Sequence, residues 1–341
     1  MKNITYFFVG ATGIIVTLVY GQSLIVPFIF ALLLWFLVRK IRQTLDRVPF
    51  IEKHFPSWLK NFIPSLIILT VISLITKILL VNINNLAAHY PKYEANIEMI
   101  IQQVNDLLHI NIIDNFKTQA AEFNFTKLFS NLLQSLTDLL SNTFMIIIYA
   151  LFIFLEEGNF AQKLRNAYSD KSRYDKLNHI LANIEKSIAN YIGIKTLTSL
   201  STGVLSYIAL LFIGIDSPLF WAFLIFLLNF IPTIGSIIAT LFPTVFCLLQ
   251  FGDFMPALTV LIIVGAIQLI IGNILEPKIM GNSLNISPLV AITSLLIWGT
   301  IWGVTGMLLS IPITVIMVII FAHFDNTKPI AIMLSEKGTI D

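Results

Sequence analysis

Long apolar stretches separated by shorter polar ones form the pattern of this chain. A bilayer with a hydrocarbon core about 30 Å thick needs about 20 apolar residues per helix. The pattern therefore predicts eight membrane-spanning helices, two of them oversized. In the N-terminal half we expect a tight hairpin of two short helices within 4–38, a helix from after Pro64 to near Leu80, and one over about 142–155 that stops at Glu156-Glu157-Gly158. In the C-terminal half the spans are predicted at about 188–213, 219–251, 257–275 and 289–322.

Lysine and arginine in the loops predict the orientation of these spans. The segments 39–60 and 156–186 each hold six basic residues, which is typical of cytoplasmic loops. Acidic residues outnumber basic ones over 83–140, so this segment is predicted to be extracytoplasmic. With eight spans, both termini then lie in the cytoplasm. Apolar residues recur at helical spacing within 83–140. They indicate amphipathic helices that pack together or lie on the membrane, or else form a surface for a partner or another subunit.

These patterns divide the chain into five regions. They are an N-terminal three-helix membrane region over 1–82, an extracytoplasmic amphipathic helical segment over 83–140, the fourth span and a cytoplasmic loop over 141–187, a four-span transport core over 188–325, and a cytoplasmic tail over 326–341.

Composition supports an all-α integral membrane protein. Hydrophobic residues make up 57% of the 341 residues and charged residues only 12%, against about 25% charged in soluble domains. The formal net charge of +2 gives no argument for a nucleic-acid partner. The only cysteine, Cys247, excludes an intrachain disulfide. The N-terminal apolar run has no convincing cleavage site, so we interpret it as a retained membrane helix.

A weak repeat runs through the C-terminal half. Ser217-Pro218-Leu219 recurs 70 residues later as Ser287-Pro288-Leu289. Each copy contains an apolar helix, then an interruption rich in glycine or proline, then a second apolar piece. Such repeats are typical of transporters. The interruptions supply five candidate pathway residues, which are Asn229, Pro232, Gly235, Gly303 and Gly306, and a sixth is Pro312, the proline that closes the second copy.

The same interruptions predict helix breaks at Pro232 and Gly306. Non-helical backbone at membrane depth survives only when it is buried in protein or lines a wet cavity. We therefore expect discontinuous or re-entrant helices that line a pathway. The alternative is that the glycines allow close helix packing and the prolines only kink the helices.

Polar residues near the end of the seventh span are further candidates. Gln268, Asn273 and Glu276 can share one helix face, and Lys278 and Gly281 follow. A carboxylate and two amides suit a monovalent cation or a polar solute, and an ionisable group within a membrane is a functional candidate. The alternative is that Glu276 and Lys278 mark the water interface. Lys195, in the fifth span, can equally extend its ammonium to that interface.

Motifs of soluble enzymes are missing from the sequence. It contains no Walker-type loop, no His-Glu-x-x-His, no Gly-x-Ser-x-Gly and no pair of cysteines. The five histidines have no ligand spacing. We therefore expect no enzyme activity, no cofactor and no metal centre, apart from the monovalent cation considered at Glu276. Transport driven by ATP would need a partner subunit.

The C-terminal half resembles the autoinducer-2 exporter family of bacterial membrane proteins. The resemblance rests on Asn229-Phe230-Ile231-Pro232-Thr233-Ile234-Gly235, on Glu276-Pro277-Lys278-Ile279-Met280-Gly281, and on Gly303-Val304-Thr305-Gly306-Met307-Leu308-Leu309-Ser310-Ile311-Pro312. The N-terminal 190 residues match in pattern more than in motif. The resemblance implies a multi-pass permease of the bacterial inner membrane. It leaves the substrate open, because members are assigned to signal export or to sodium/proton exchange.

Three functions compete at this point. The first is a secondary transporter that exports a small polar solute such as the autoinducer-2 signal. The second is a sodium (lithium)/proton antiporter that uses Glu276, which the scarcity of other membrane carboxylates weakens. The third is a non-transporting scaffold, for which interrupted spans would have no use. The expected partners are the lipid bilayer and the transported solute or cation and proton, and a homo-oligomer is compatible with all three.

Overall fold

The computed structural model describes residues 2–45, 143–168, 170–280 and 285–339, together with positions 70, 81–82, 96, 99–100 and 134. The predicted third span and most of the extracytoplasmic segment lie outside these residues. Among the described residues the secondary structure is helical and contains no strand. The all-α fold class is therefore confirmed.

Ten α-helices and one π-helical segment make up the described chain. They are α1 (Lys2–Tyr20), α2 (Gln22–Leu45), α3 (Thr143–Ala167), α4 (Lys171–Ile213), α5 (Pro218–Leu228), α6 (Ile234–Phe251), α7 (Phe254–Gln268), the π-helical segment (Leu269–Leu275), α8 (Glu276–Met280), α9 (Pro288–Ala322) and α10 (Lys328–Leu334). Within the described residues, six helical stretches are long and apolar enough to cross a membrane, with Phe254–Met280 taken as one stretch, and α5 is a shorter apolar helix. The chain is thus a multi-pass membrane protein.

The first two helices do not form the predicted tight hairpin. Only Gly21 separates α1 from α2, and hydrogen bonds of helical spacing flank the junction. The Gly21 N–H donates to the Thr17 carbonyl at 2.8 Å, and the Ile25 N–H donates to the Gly21 carbonyl at 2.9 Å. A loop that reverses the chain would break these bonds. The junction is therefore a kink in one long helical element.

The helices α3 and α4 extend well beyond the predicted spans. α3 passes through Glu157 and Gly158 to Ala167, and α4 begins at Lys171, so the predicted loop 156–186 is almost entirely helical. Hydropathy detects only the apolar part of a helix, and the charged part continues it. That charged part is held by ion pairs, since Arg42 contacts Glu157 at 3.2 Å and Arg39 contacts Glu185 at 2.8 Å.

The chain divides into two compact units. Unit 1 comprises Met1–Ile67, Ser135–Gly193 and Asn282–Asp341, and unit 2 comprises Ile68–Gln134 and Ile194–Gly281. The division cuts through α4 and places α9 and α10 in a different unit from α5–α8. The five predicted regions stay a prediction, since they follow hydropathy and charge along the chain whereas these units follow spatial contacts.

The C-terminal residues of unit 1 fold back onto the start of α9. The backbone N–H of Ser287, which caps α9, donates to the carbonyl of Leu334 at 3.1 Å. Asn285 Nδ2 donates to the carbonyl of Thr339 at 2.6 Å, and Ala331 of α10 is fully buried. The predicted tail 326–341 is therefore packed structure over the residues that the structure describes.

Candidate transport site

An ion pair between membrane helices is the centre of the candidate site in unit 2. Lys195 Nζ of α4 lies 2.5 Å from Glu276 Oε1, at the end of the π-helical segment. Their side chains are only 10% and 17% exposed. Thr198 Oγ1 lies 3.2 Å from Glu276 Oε2, so both carboxylate oxygens have a partner. Charged groups within a membrane are costly unless they are paired, and such pairs commonly mark transport pathways.

The π-helical segment places Glu276 opposite α4. The last turn of this segment is wider than an α-helical turn, because the Glu276 N–H donates to the carbonyl of Ile271, five residues earlier instead of four. Pro277 follows directly and supplies no backbone donor, which weakens the normal helical bonding at this point. Single π turns within α-helices occur frequently at functional sites. The sequence pattern does not predict this π turn.

The predicted shared face of Gln268, Asn273 and Glu276 is not present. Gln268 is 6% exposed and Glu276 is largely buried, whereas Asn273 is exposed. A π turn shifts the angular spacing on which the prediction relied. Lys278 is exposed, and Gly281 lies outside the described residues. Of the four candidates that the structure describes, only Glu276 lies in the ion pair.

The break predicted at Pro232 is confirmed. α5 ends at Leu228 and α6 begins at Ile234, so Asn229 and Pro232 lie between the two helices. The Asn229 N–H still donates to the carbonyl of Ile225. The turn closes at Thr233, which has a φ of 57° and a ψ of −58°. This conformation costs a β-branched residue about 1–3 kcal/mol, so the surrounding structure must hold it in place.

α5 and α6 form a closed hairpin. Gln250, at the end of α6, donates through Nε2 to the Gly214 carbonyl at 2.9 Å and accepts from the Asp216 N–H at 2.7 Å. Both partners precede α5, so the two outer ends of the pair meet. At the break, a Cβ on Gly235 would lie 1.8 Å from the carbonyl oxygen of Leu228, closer than any side chain can approach. Only glycine permits this turn.

The second break lies three residues before the predicted position. Helical backbone is lost at Trp302 (φ −128°, ψ 16°) and at Gly303 (φ 61°, ψ −142°), while Gly306 is already part of the returning helix. Gly303 absorbs the positive φ that a side chain would disfavour. Gly306 has another role, since its Cβ would lie 1.9 Å from the Trp298 carbonyl oxygen. Pro312 is buried within the helix, away from the break.

The break at Trp302 and Gly303 divides α9 into two helical arms, which we call the second hairpin. The tip of this hairpin is held inside unit 1. Trp302 Nε1 donates to the carbonyl of Leu18 in α1 at 2.9 Å, beside the kink at Gly21. Trp302 packs in a buried cluster with Val26 and Leu309. One hydrogen bond within an apolar core therefore joins the kink at Gly21 to the break at Trp302 and Gly303.

A polar stripe on α4 was not predicted from the sequence. The helix buries five polar side chains on one face and exposes apolar ones elsewhere; the buried five are Lys195, Thr198, Ser199, Thr202 and Ser206. The signal was present in the sequence as polar residues three and four positions apart in an apolar span. An apolar face turned outward and a polar face turned inward is the pattern expected of a helix exposed to lipid.

Comparisons with known proteins agree with this architecture. The family model described as AI-2E family transporter matches residues 6–326. The AI-2 transport protein TqsA of Escherichia coli K12 is 31% identical over 330 residues, covering 93% of this chain and 91% of that protein. A "Putative transport protein" of Haemophilus influenzae is 30% identical with the same coverage. Another "Putative transport protein", from Borreliella burgdorferi, is 40% identical over 193 residues, covering 56% of this chain and 53% of that protein. With nearly the whole chain matched, and with the membrane helices described above, this chain belongs to the AI-2E family of membrane transporters.

Proposed function

We propose that this transporter exports a small polar solute across the bacterial inner membrane, with autoinducer-2 as the first candidate solute. Membership of a transporter family sets aside the scaffold hypothesis. The candidate solute comes from the name of the Escherichia coli relative, of which the chain matches 91%. A homo-oligomer stays a prediction from the sequence.

The observation that carries the proposal is the triad of Lys195, Glu276 and Thr198. It offers an ammonium donor, a carboxylate acceptor and a hydroxyl in a largely buried position. A solute with several hydroxyl groups can accept from Lys195 and donate to Glu276, so its binding leaves neither group without a hydrogen bond. Because the pair is neutral overall, it suits a polar solute that carries no net charge.

Sodium/proton exchange at Glu276 is the second candidate function. The carboxylate is the acidic group that such exchange requires. However, the Lys195 ammonium occupies the position beside Glu276 Oε1 that a bound cation would take. Sodium would have to displace a lysine that is tied to the same helix pair. This arrangement favours solute export over cation exchange.

Parallel efflux measurements test the two functions. Proteoliposomes loaded with autoinducer-2, or with labelled sodium under an imposed proton gradient, are compared with protein-free vesicles. We expect autoinducer-2 efflux above the protein-free rate and sodium flux at the protein-free rate. Sodium flux that depends on the proton gradient, without solute efflux, would contradict the proposed export and support the antiporter.

The hairpin of α5 and α6 supports a re-entrant pair of helices. The outer ends of α5 and α6 also contact Asn96, whose Nδ2 donates to the carbonyls of Leu249 and Gln250 at 2.8 and 2.9 Å. Asn96 belongs to the segment predicted to be extracytoplasmic. We infer that this hairpin enters and leaves the membrane on that side. The following stretch Phe254–Met280 then crosses towards the cytoplasm, so that its far end carries Glu276 near the cytoplasmic face.

Cysteine labelling distinguishes this topology from eight full crossings. On a Cys247→Ser background, Lys278→Cys is expected to react with an impermeant thiol reagent only from the cytoplasmic side. If 219–251 crossed the membrane once, position 278 would instead be extracytoplasmic. Asp170→Cys is the control, since both topologies place it in the cytoplasm. Labelling of position 278 from outside intact cells would refute the re-entrant hairpin, and labelling of position 170 from outside would overturn the predicted orientation of the spans.

A further inference from the structure

Hydroxyl groups in the membrane helices of this protein usually bond to their own helix. A Ser or Thr side chain there donates to the carbonyl three or four residues earlier, at 2.7–2.9 Å, as seen at Thr202, Thr240, Thr244, Thr259, Thr293, Thr300, Ser310 and Thr314. This local bond satisfies a hydroxyl that would otherwise be costly in an apolar surrounding.

Ser199 and Ser206 on α4 are exceptions. Both residues are fully buried, yet neither hydroxyl has a hydrogen-bond partner among the described residues. A buried polar group without a partner in a folded protein requires an explanation, and a water molecule or a ligand is the usual one. A third such atom in unit 2 is Nε2 of Gln268.

The two serines lie in line with the ion pair. Lys195, Ser199, Thr202 and Ser206 follow one another at steps of four, three and four residues, which places them along one face of α4. With a rise of 1.5 Å per residue, the line runs about 16 Å from Lys195 to Ser206. The line thus starts at the candidate site and continues over about half of the hydrocarbon thickness.

Close packing gives a competing explanation for small residues on this face. Gly203 lies between the two serines, and a Cβ there would lie 3.1 Å from the carbonyl oxygen of Ala222 in α5. Small residues allow helices to approach closely in membranes. If serine served only this purpose, alanine would serve equally well, because it is no larger and has no hydroxyl to satisfy.

We propose that Ser199 and Ser206 donate hydrogen bonds to oxygen atoms that pass along α4, and so extend the transport site beyond the Lys195–Glu276 pair. The ligand is an oxygen acceptor, supplied either by the transported solute or by water that accompanies it. This inference rests on the proposed export function. It assigns to the two serines a role that neither the family match nor the ion pair implies.

Alanine substitution separates the role of the hydroxyl from that of size. We expect Ser199→Ala and Ser206→Ala to insert normally and to slow autoinducer-2 efflux by up to about tenfold each, the effect of one lost neutral hydrogen bond. Ser310→Ala, in which the lost hydroxyl bonds only to its own helix, is the matched control. A raised KM indicates a contact with the solute, whereas a lower rate at constant KM indicates water. Parental rate and parental KM in both variants would overturn the proposal.

Thiol labelling tests the stripe without reference to the solute. On the Cys247→Ser background, Ser199→Cys and Ser206→Cys should react with a small methanethiosulfonate ammonium reagent, because that reaction needs a hydrated thiolate. Ala239→Cys, fully buried in α6, should not react. If both stripe positions are as inert as position 239, the stripe is dry and the proposal fails. If they react but autoinducer-2 is not exported, the proposed solute is wrong and the hydrated stripe stands.

Discussion

Glu276→Gln is expected to raise the KM for the exported solute strongly while the protein still inserts into the membrane. The substitution keeps the size of the side chain but leaves the ammonium of Lys195 without its countercharge. Breaking one partner of a buried ion pair costs about 3–5 kcal/mol, and the value at this partly buried pair should lie near the lower end. Under sodium/proton exchange, ion flux should disappear completely. Under solute export, the main effect should be a higher KM. Efflux assays at several solute concentrations, with membrane abundance measured in parallel, separate these outcomes.

Two control variants isolate the ion pair. Lys278→Gln removes a neighbouring charge that is exposed, so its transport should stay close to the parental rate. The double variant Lys195→Met/Glu276→Gln removes both charges, and its abundance should recover relative to Glu276→Gln because no buried charge is left unpaired. Its transport should not recover. If Glu276→Gln transports both solutes at the parental rate, the carboxylate is only an interfacial group and the site assignment is wrong.

Alanine at Gly235 or at Gly306 is expected to open the corresponding hairpin. A Cβ at position 235 would lie 1.8 Å from the carbonyl oxygen of Leu228, and a Cβ at position 306 would lie 1.9 Å from the carbonyl oxygen of Trp298. Rigid backbone cannot yield as a flexible side chain can, so we expect a loss of about 1–3 kcal/mol or more. Thermal unfolding in detergent should show a lower Tm, and transport should be lost with it.

The matched control is Gly265→Ala in α7. There the nearest atom outside the helix backbone is Thr240 Cγ2 at 3.9 Å, which is ordinary van der Waals contact. Alanine at position 265 should be neutral or slightly stabilising, since it favours the helix over glycine. A Tm for Gly235→Ala or Gly306→Ala as high as that for Gly265→Ala would show that the tight turns do not hold the hairpins closed.

The candidate site could be predicted only in part. Glu276 could be predicted as a site residue, because a carboxylate within an apolar membrane segment is costly and usually has a functional role. Lys195 could equally extend its ammonium to the water interface, so its pairing with Glu276 stayed open. Thr198 and the serines of α4 were missed, because hydroxyl groups are common in membrane helices and usually bond to their own backbone. Whether a given hydroxyl does so depends on what packs against it.

The sequence by itself determined that this protein lies in a lipid bilayer and that a helix breaks at Pro232. Apolar runs of about 20 residues require a bilayer, and Pro232 removes a backbone donor wherever it is placed. Only the tertiary structure decided which helices fold back and which charges meet. Gln250 joins the ends of α5 and α6 across 34 and 36 residues, and Lys195 meets Glu276 across 81 residues. The physical reason is that hydropathy and local backbone chemistry act over a few turns, whereas a long-range pair depends on the packing of all the residues between its partners.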